Sequence, residues 1–132
     1  MVAEPARATL PRAARLLRAR EFRRVYSRGR RAHGSSIVVV ALRRSGQDLR
    51  LGVSVSKAHG RAVRRNKIKR ILREAFRLER PELPGGFDVV LIPQPRDRYV
   101  LEEVRAELRE LLERIAERPD RPARRRPRRR RG

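Results

Sequence analysis

The sequence predicts an α+β fold, an α-β sandwich in which helices pack on one sheet in the order αβββαβα. Three observations lead there. Apolar residues recur at the helical period in three separate stretches. Two short runs, 37–42 and 87–93, are predominantly apolar and β-prone, the first without a break, as buried strands are. A further run, Leu49, Leu51, Val53 and Val55, alternates with polar or small residues, the mark of a strand with one core face.

Residues 1–11 carry two prolines and no sustained period, and are expected to form a flexible arm. One folded domain is expected over residues 12–118. From 12 to 28 the pattern is helical, with Phe22, Val25 and Tyr26 at i, i+3, i+4 and Gly29 placed to end it. Ser45-Gly46-Gln47-Asp48 then separates two strands, and strands joined by four turn residues are expected to pair as an antiparallel hairpin. Two or three strands thus precede the next helix. That helix, 61–79, turns Ile68, Ile71, Leu72, Ala75 and Phe76 toward a sheet, and Pro81, Pro84, Gly85 and Gly86 stop it. After the 87–93 strand and a loop, a last helix, 99–117, sets Leu101, Val104, Leu108, Leu111, Leu112 and Ile115 on one stripe. Beyond it, residues 119–132 are Arg and Pro with almost nothing to bury, and are expected to be a disordered tail.

The 132 residues suffice for one domain with a modest core. Lys plus Arg total 37 against 15 Asp plus Glu, a net charge of +22, so the chain repels itself until a polyanion neutralises it. Nucleic acid is the first candidate, because each neutralised phosphate releases a condensed counterion. A membrane fits poorly: the longest apolar run, 37–42, is far short of a bilayer span. The N-terminus lacks a signal-peptide core, and the absence of cysteine excludes disulfides and thiolate metal sites. A soluble cytoplasmic protein built for a polyanion is expected. The charge is uneven. Residues 99–117 hold six Glu against three Arg, net −3, while 119–132 hold eight Arg against one Asp, net +7. The polyanion is expected to dock away from the acidic helix.

On a helical wheel, 61–79 sets its apolar stripe opposite Asn66, Arg70, Arg73 and Arg77, flanked by Lys67 and Lys69. Glu74 is the one acid in the middle of that face. A solvated face explains most charge runs. The sharper reading is a phosphate ladder, since guanidinium forks match phosphate oxygens. Asn66 favours it: a mediocre helix former that both donates and accepts suits a 2′-hydroxyl, a base edge or a phosphate.

The run from Gly60 to Arg77 (Gly-Arg-Ala-Val-Arg-Arg-Asn-Lys-Ile-Lys-Arg-Ile-Leu-Arg-Glu-Ala-Phe-Arg) resembles the signature of the bacterial ribonuclease P protein family, Arg-Asn-Arg-x-Lys-Arg in a helix after Gly-x-Ala-Val. Residues 51–57 (Leu-Gly-Val-Ser-Val-Ser-Lys) and 21–29 (Glu-Phe-Arg-Arg-Val-Tyr-Ser-Arg-Gly) resemble two more family motifs in the family's order, and the likeness spans about residues 16–116. The resemblance implies a left-handed βαβ crossover, against the general right-handed preference. It implies that the motif, here Arg65, Asn66, Lys67, Lys69 and Arg70, binds the large catalytic RNA; Arg61, Arg64 and Arg73 extend that surface. It also implies that the single-stranded 5′ leader of precursor tRNA lies in a cleft between the sheet and the first helix. Phe22 and Tyr26 match that cleft's aromatic positions, with Val40, Ser54 and Lys57 completing it. Stacking suits an RNA of variable sequence, since every base has a π-face. From periodicity alone, core packing is the favoured reading of Phe22 and Tyr26, and the resemblance reverses it. Two positions depart from the pattern: Lys67 keeps the charge of an arginine without its fork, and Val40 stands where an aromatic would stack better.

No catalytic or metal-binding residue is expected in the protein. Asp48, Asp88, Asp97 and Asp120 are isolated, the glutamates gather in the last helix at pair spacing such as Glu110 with Arg114, and His33, His59, Ser54 and Ser56 show no catalytic partners. No cofactor is expected on the protein alone. The resemblance implies that RNA holds the Mg2+ ions and cleaves the phosphodiester, while the protein tightens precursor binding. The implied partners are the catalytic RNA and precursor tRNA, with no DNA and no membrane. Charge and size alone also admit a ribosomal or general RNA-chaperone protein, or an autonomous nuclease.

Overall fold

The computed structural model describes residues 10–118. Its elements are α1 (Ala19–Arg28), β1 (Arg30–His33), β2 (Ile37–Arg43), β3 (Leu49–Val53), α2 (Ala62–Glu79), β4 (Phe87–Pro93) and α3 (Leu101–Glu117), the predicted αβββαβα order. Strand β4 is apolar along almost its whole length, so it needs cover on both faces and neighbours on both edges. It takes the interior of a four-stranded sheet ordered β1-β2-β4-β3, antiparallel to β2 (Val40 opposite Val90) and parallel to β3 (Leu51 opposite Val89).

The expected hairpin between β2 and β3 does not form, because β4 lies between them. The loop entering β4 opens the would-be turn. Arg44 N–H donates to the Gly86 carbonyl at 2.8 Å and Gly86 N–H to that of Asp48 at 3.1 Å. At Gly85 any Cβ would lie 2.4 Å from the Gln47 carbonyl oxygen, so only glycine allows this approach. Turn chemistry marked where the chain bends; it did not mark what pairs on either side.

The sheet's two faces are unequal. Odd-numbered residues of the long strands (Ile37, Val39, Ala41, Leu49, Leu51, Phe87, Val89, Leu91) meet α2 through Ile68, Leu72, Ala75 and Phe76, and α3 through Val104, Leu108, Leu111, Leu112 and Ile115. On the other face Val38, Val40 and Val90 meet only Leu16 and Val25, with Phe22, Tyr26, Leu42 and Ile92 half covered. Between the parallel neighbours β3 and β4, α2 forms the βαβ crossover.

Local departures have local causes. The first helix starts at Ala19, not at residue 12: the preceding segment is a 3-10 turn, Arg12–Ala14, followed by extended chain bridged to β3, with Leu16 N–H donating to the Leu51 carbonyl at 2.9 Å. Leu10, expected in the flexible arm, is buried in the larger core, and the Arg15 guanidinium holds its carbonyl at 2.9 and 3.1 Å. Tyr99 lies before α3 instead of within it, its hydroxyl donating to the Gln94 carbonyl; its burial raises its pKa. The rest of the arm and the 119–132 tail lie outside the described residues. Among the described residues no helix is long and apolar enough to cross a membrane.

Candidate nucleic-acid interface

The start of α2 is built by backbone constraints. The chain leaves β3 through Ser54, makes a 3-10 turn at Lys57–His59, and enters the helix after Gly60 at φ 113, a left-handed conformation that favours glycine. The helix end is then clamped by Arg64. Its Nε donates to the His59 carbonyl at 2.8 Å, and its two terminal nitrogens donate to the carbonyls of Asp97 at 3.1 Å and Arg96 at 2.7 Å. Arg96 in turn donates to the buried Ser36 hydroxyl at 2.5 Å, and Glu107 of α3 accepts from the backbone N–H groups of Ser36 and Ile37. Arg64, grouped by sequence with the RNA-contacting arginines, is in this structure a tie between the α2 entry and the β4–α3 loop. Arg65 stays close to its own turn, its Nε donating to the Gly60 carbonyl at 3.0 Å.

The remaining basic residues of α2 face outward. Arg61, Asn66, Lys67, Arg70 and Arg73 are exposed and Lys69 is half-buried. None of them has an acidic partner among the described residues. Glu74 is engaged by Arg77 at 2.7 Å, which holds its carboxyl below the usual range. Glu79 turns inward, buried against Arg105 at 2.7 Å and Arg109 at 3.6 Å of α3. Desolvation, then repulsion from Arg15, lowers the pKa of Arg73. Sequence reasoning passed over Val63, which is 77% exposed and lines a shallow groove with Arg61, Arg64 and Lys67.

The second surface lies under α1. Glu21 fixes that helix: its carboxylate accepts from the N–H groups of Leu17 at 2.8 Å and Arg18 at 3.1 Å, and it meets Arg50 at 3.3 Å. The two backbone hydrogen bonds come first among the causes that lower its pKa. Arg50 also grips Asp88 through two 2.8 Å bonds, so Asp88, isolated in the sequence, is a buried anchor between β3 and β4. Phe22 and Tyr26 project from α1 along the sheet, half exposed, with ring centroids 6.5 Å apart and planes tilted by 53°. Phe22 rests on bare backbone: a Cβ at Gly52 would lie 2.6 Å from its ring. Gly52 belonged to a sequence motif, but its role as the seat of an aromatic ring shows only in three dimensions. Arg31 stands 5.9 Å from the Tyr26 centroid in cation–π range.

Val40 lies on this face but is fully buried, so it packs beneath the cleft and offers no surface to a base. Ser54, half-buried, follows β3 with its N–H donating to the Leu91 carbonyl at 3.0 Å, and Lys57 is exposed in the turn leading to α2. The end of β3 therefore joins the aromatic surface to the basic one. Among the described residues no group of three or more His, Asp or Glu side chains is placed to hold a metal ion.

Comparison with known proteins decides the family. Residues 10–116 match the Ribonuclease P family model. The chain belongs to the ribonuclease P protein family. The ribonuclease P protein component of Desulfovibrio desulfuricans is 43% identical over 112 residues, covering 81% of this chain and 86% of that one. That of Thermotoga maritima is 38% identical over 107 residues, covering 76% and 91%. Among solved structures, the Thermotoga maritima ribonuclease P protein superposes with a TM-score of 0.70 at 36% identity, covering 76% of this chain and 96% of that one. The Staphylococcus aureus protein gives 0.67 at 30%, covering 80% and 97%. The chain is thus a protein subunit of ribonuclease P, an RNA-binding part of a tRNA-processing endoribonuclease.

Proposed function

We propose that this ribonuclease P protein binds the catalytic RNA through the outer face of α2 and the precursor's 5′ leader through the α1 cleft. One observation carries the reading: a cationic helix face, whose Arg61, Lys67, Lys69, Arg70 and Arg73 have no acidic partner among the described residues, and a half-buried aromatic surface are linked by the six residues 54–59. On α2, Arg65, Asn66, Lys67, Lys69 and Arg70 form the core of the RNA contact, with Arg61 and Arg73 at its ends. In the cleft, bases stack on Phe22 and Tyr26, and Ser54 and Lys57 meet the strand where it approaches α2.

The catalytic centre lies in the RNA. In this reading magnesium is held mainly by RNA, and the protein contributes binding of the two RNAs. The protein raises the precursor's affinity, and hydrolysis leaves a 5′-phosphate on the mature tRNA. Its place of action is the cytoplasm, where precursor tRNA is processed.

The test is reconstitution with the catalytic RNA of the same cell. Adding the protein should sharply increase cleavage of leader-bearing precursor at low magnesium, and no increase would sink the proposal. Arg65→Ala or Arg70→Ala should weaken assembly with that RNA by roughly 1–3 kcal/mol each, the scale of a lost charge-assisted contact. Unchanged assembly would remove α2 from the interface.

A further inference from the structure

The solvent side of α1 is lined by arginine. Arg20, Arg24 and Arg28 follow one another at i, i+4, i+8 with Arg23 beside them, and all four are exposed. No acidic group pairs with them among the described residues. The one acid of the helix, Glu21, is turned to the helix start and to Arg50. Like charges four residues apart oppose helix formation, and a cation in the first turn meets the unfavourable end of the helix dipole. α3 shows the ordinary solution, Glu110 and Arg114 paired at the same spacing at 2.8 Å. The α1 pattern works against its own helix, and an outside anion would relieve it.

Geometry narrows that anion. Together with Tyr26 and Ser27 the arginines border a shallow open groove. Tyr26 therefore serves two surfaces, its ring facing Phe22 on the cleft side and edging the arginine groove on the other. A base stacked in the cleft leaves its sugar and phosphate outside, beside α1. Arginines four residues apart rise by about 6 Å along the helix, a step that successive phosphates of one extended strand can follow. The outer face of α2 lies across the sheet, so one rigid RNA body would have to wrap the β3 edge to reach both helices.

We propose that Arg20, Arg23, Arg24 and Arg28 hold the sugar-phosphate backbone of the single-stranded leader whose bases lie against Phe22 and Tyr26. The proposal rests on the cleft reading above and assigns the strand a second, electrostatic wall. Stacking accepts any base and the arginine side meets only charge, so this wall should respond to leader length and salt, with little regard for base identity.

The experiment uses holoenzyme reconstituted with the catalytic RNA of the same cell and three ligands: long-leader precursor, short-leader precursor and mature tRNA. The variant is Arg20→Gln/Arg24→Gln/Arg28→Gln, with the corresponding triple lysine variant as a charge-keeping control and single Arg24→Gln as the measurement should the triple lose helix by circular dichroism. The glutamine variant should bind long-leader precursor about tenfold more weakly. Its slope of log affinity against log salt should fall by about 2, at ~0.7 per phosphate of a single strand. Mature tRNA binding and assembly with the catalytic RNA should be unchanged, and lysine should restore most of the slope. Unchanged binding of all three ligands would make the face merely solvated. Equal losses on mature tRNA, or weaker assembly, would make its occupant structured RNA; either outcome overturns the proposal. Phe22→Ala run in parallel separates the two readings. If Phe22→Ala loses leader preference and the arginine variant does not, only this inference fails; if neither does, the cleft reading fails with it.

Discussion

The two faces of the sheet use the same strands for opposite ends. Toward α2 and α3, Ile37, Val39, Leu51, Val89 and Leu91 are buried among helix side chains, and Phe76, Phe87, Leu108 and Leu112 are sealed from solvent. Toward α1, a ten-residue helix covers a few valines and leaves Phe22 and Tyr26 half open on a glycine floor. A small domain has too little core to seal both faces equally. Here stability is concentrated on one face, which leaves the other free to keep apolar rings available to a ligand.

The largest expected effect tests that division directly. Phe76→Ala should lower stability by about 3–5 kcal/mol in urea unfolding, as for a deleted core aromatic. Phe22→Ala should lower it by less, about 1–2 kcal/mol, because that ring is only partly buried, while weakening leader-bearing precursor by roughly 1–3 kcal/mol and leaving mature tRNA unaffected. Equal unfolding losses would make Phe22 a core residue and collapse the contrast.

Gly52→Val comes next. Its side chain claims the space of the Phe22 ring, so overpacking of about 1–3 kcal/mol is expected, together with loss of leader preference in the same binding assay. A variant that kept full leader preference would show that the ring's seat is unimportant.

Arg64→Ala sharpens the difference between holding and touching RNA. Its three carbonyl partners predict a loss of about 1 kcal/mol and faster hydrogen exchange over residues 57–61 and 96–98 in the free protein. Exchange unchanged there would mean that the clamp does not order the helix entry.

The smallest effect is pH-dependent. Because the folded pKa of Glu21 is lowered, chiefly by the Arg18 and Leu17 N–H groups, its contribution is present above the unfolded pKa and lost as pH falls through the folded value. Glu21→Gln should therefore cost less than about 1 kcal/mol at neutral pH, and the gap to wild type should close below pH ~4, the region under a free glutamate's pKa. A gap that widened in acid would contradict the capping role.

Much of this was legible along the chain. The β2 and β4 spans, the α2 stripe and the α3 stripe follow from periodicity and turn residues, because those signals are local, whereas β1 carried no such signal and periodicity left two or three strands before α2. The family motif identified the basic face as well. What failed was each inference that needed a partner distant in sequence. The hairpin failed because the same turn chemistry serves a loop held open by Gly85 and Gly86. The helical reading of residues 12–18 failed because the Leu51 carbonyl offered Leu16 a bond that outweighed local pattern. Val40 and Arg64 were placed on binding surfaces, although burial and three carbonyls occupy them. The α1 arginines had a readable signal, their i, i+4, i+8 spacing, which was overshadowed by the larger run on α2.

By itself, then, the sequence determined most of the helices and the two long apolar strands, that the chain is built for a polyanion, and which motif ties it to its family. Tertiary structure alone decided that β4 separates β2 from β3, that Gly52 seats Phe22, and that Glu79, Asp88 and Arg64 serve the scaffold. The physical reason is range. Periodicity and turn preference act over a few residues, whereas strand pairing, burial and the choice of a guanidinium's distant partners depend on groups brought together from 26 or more residues away.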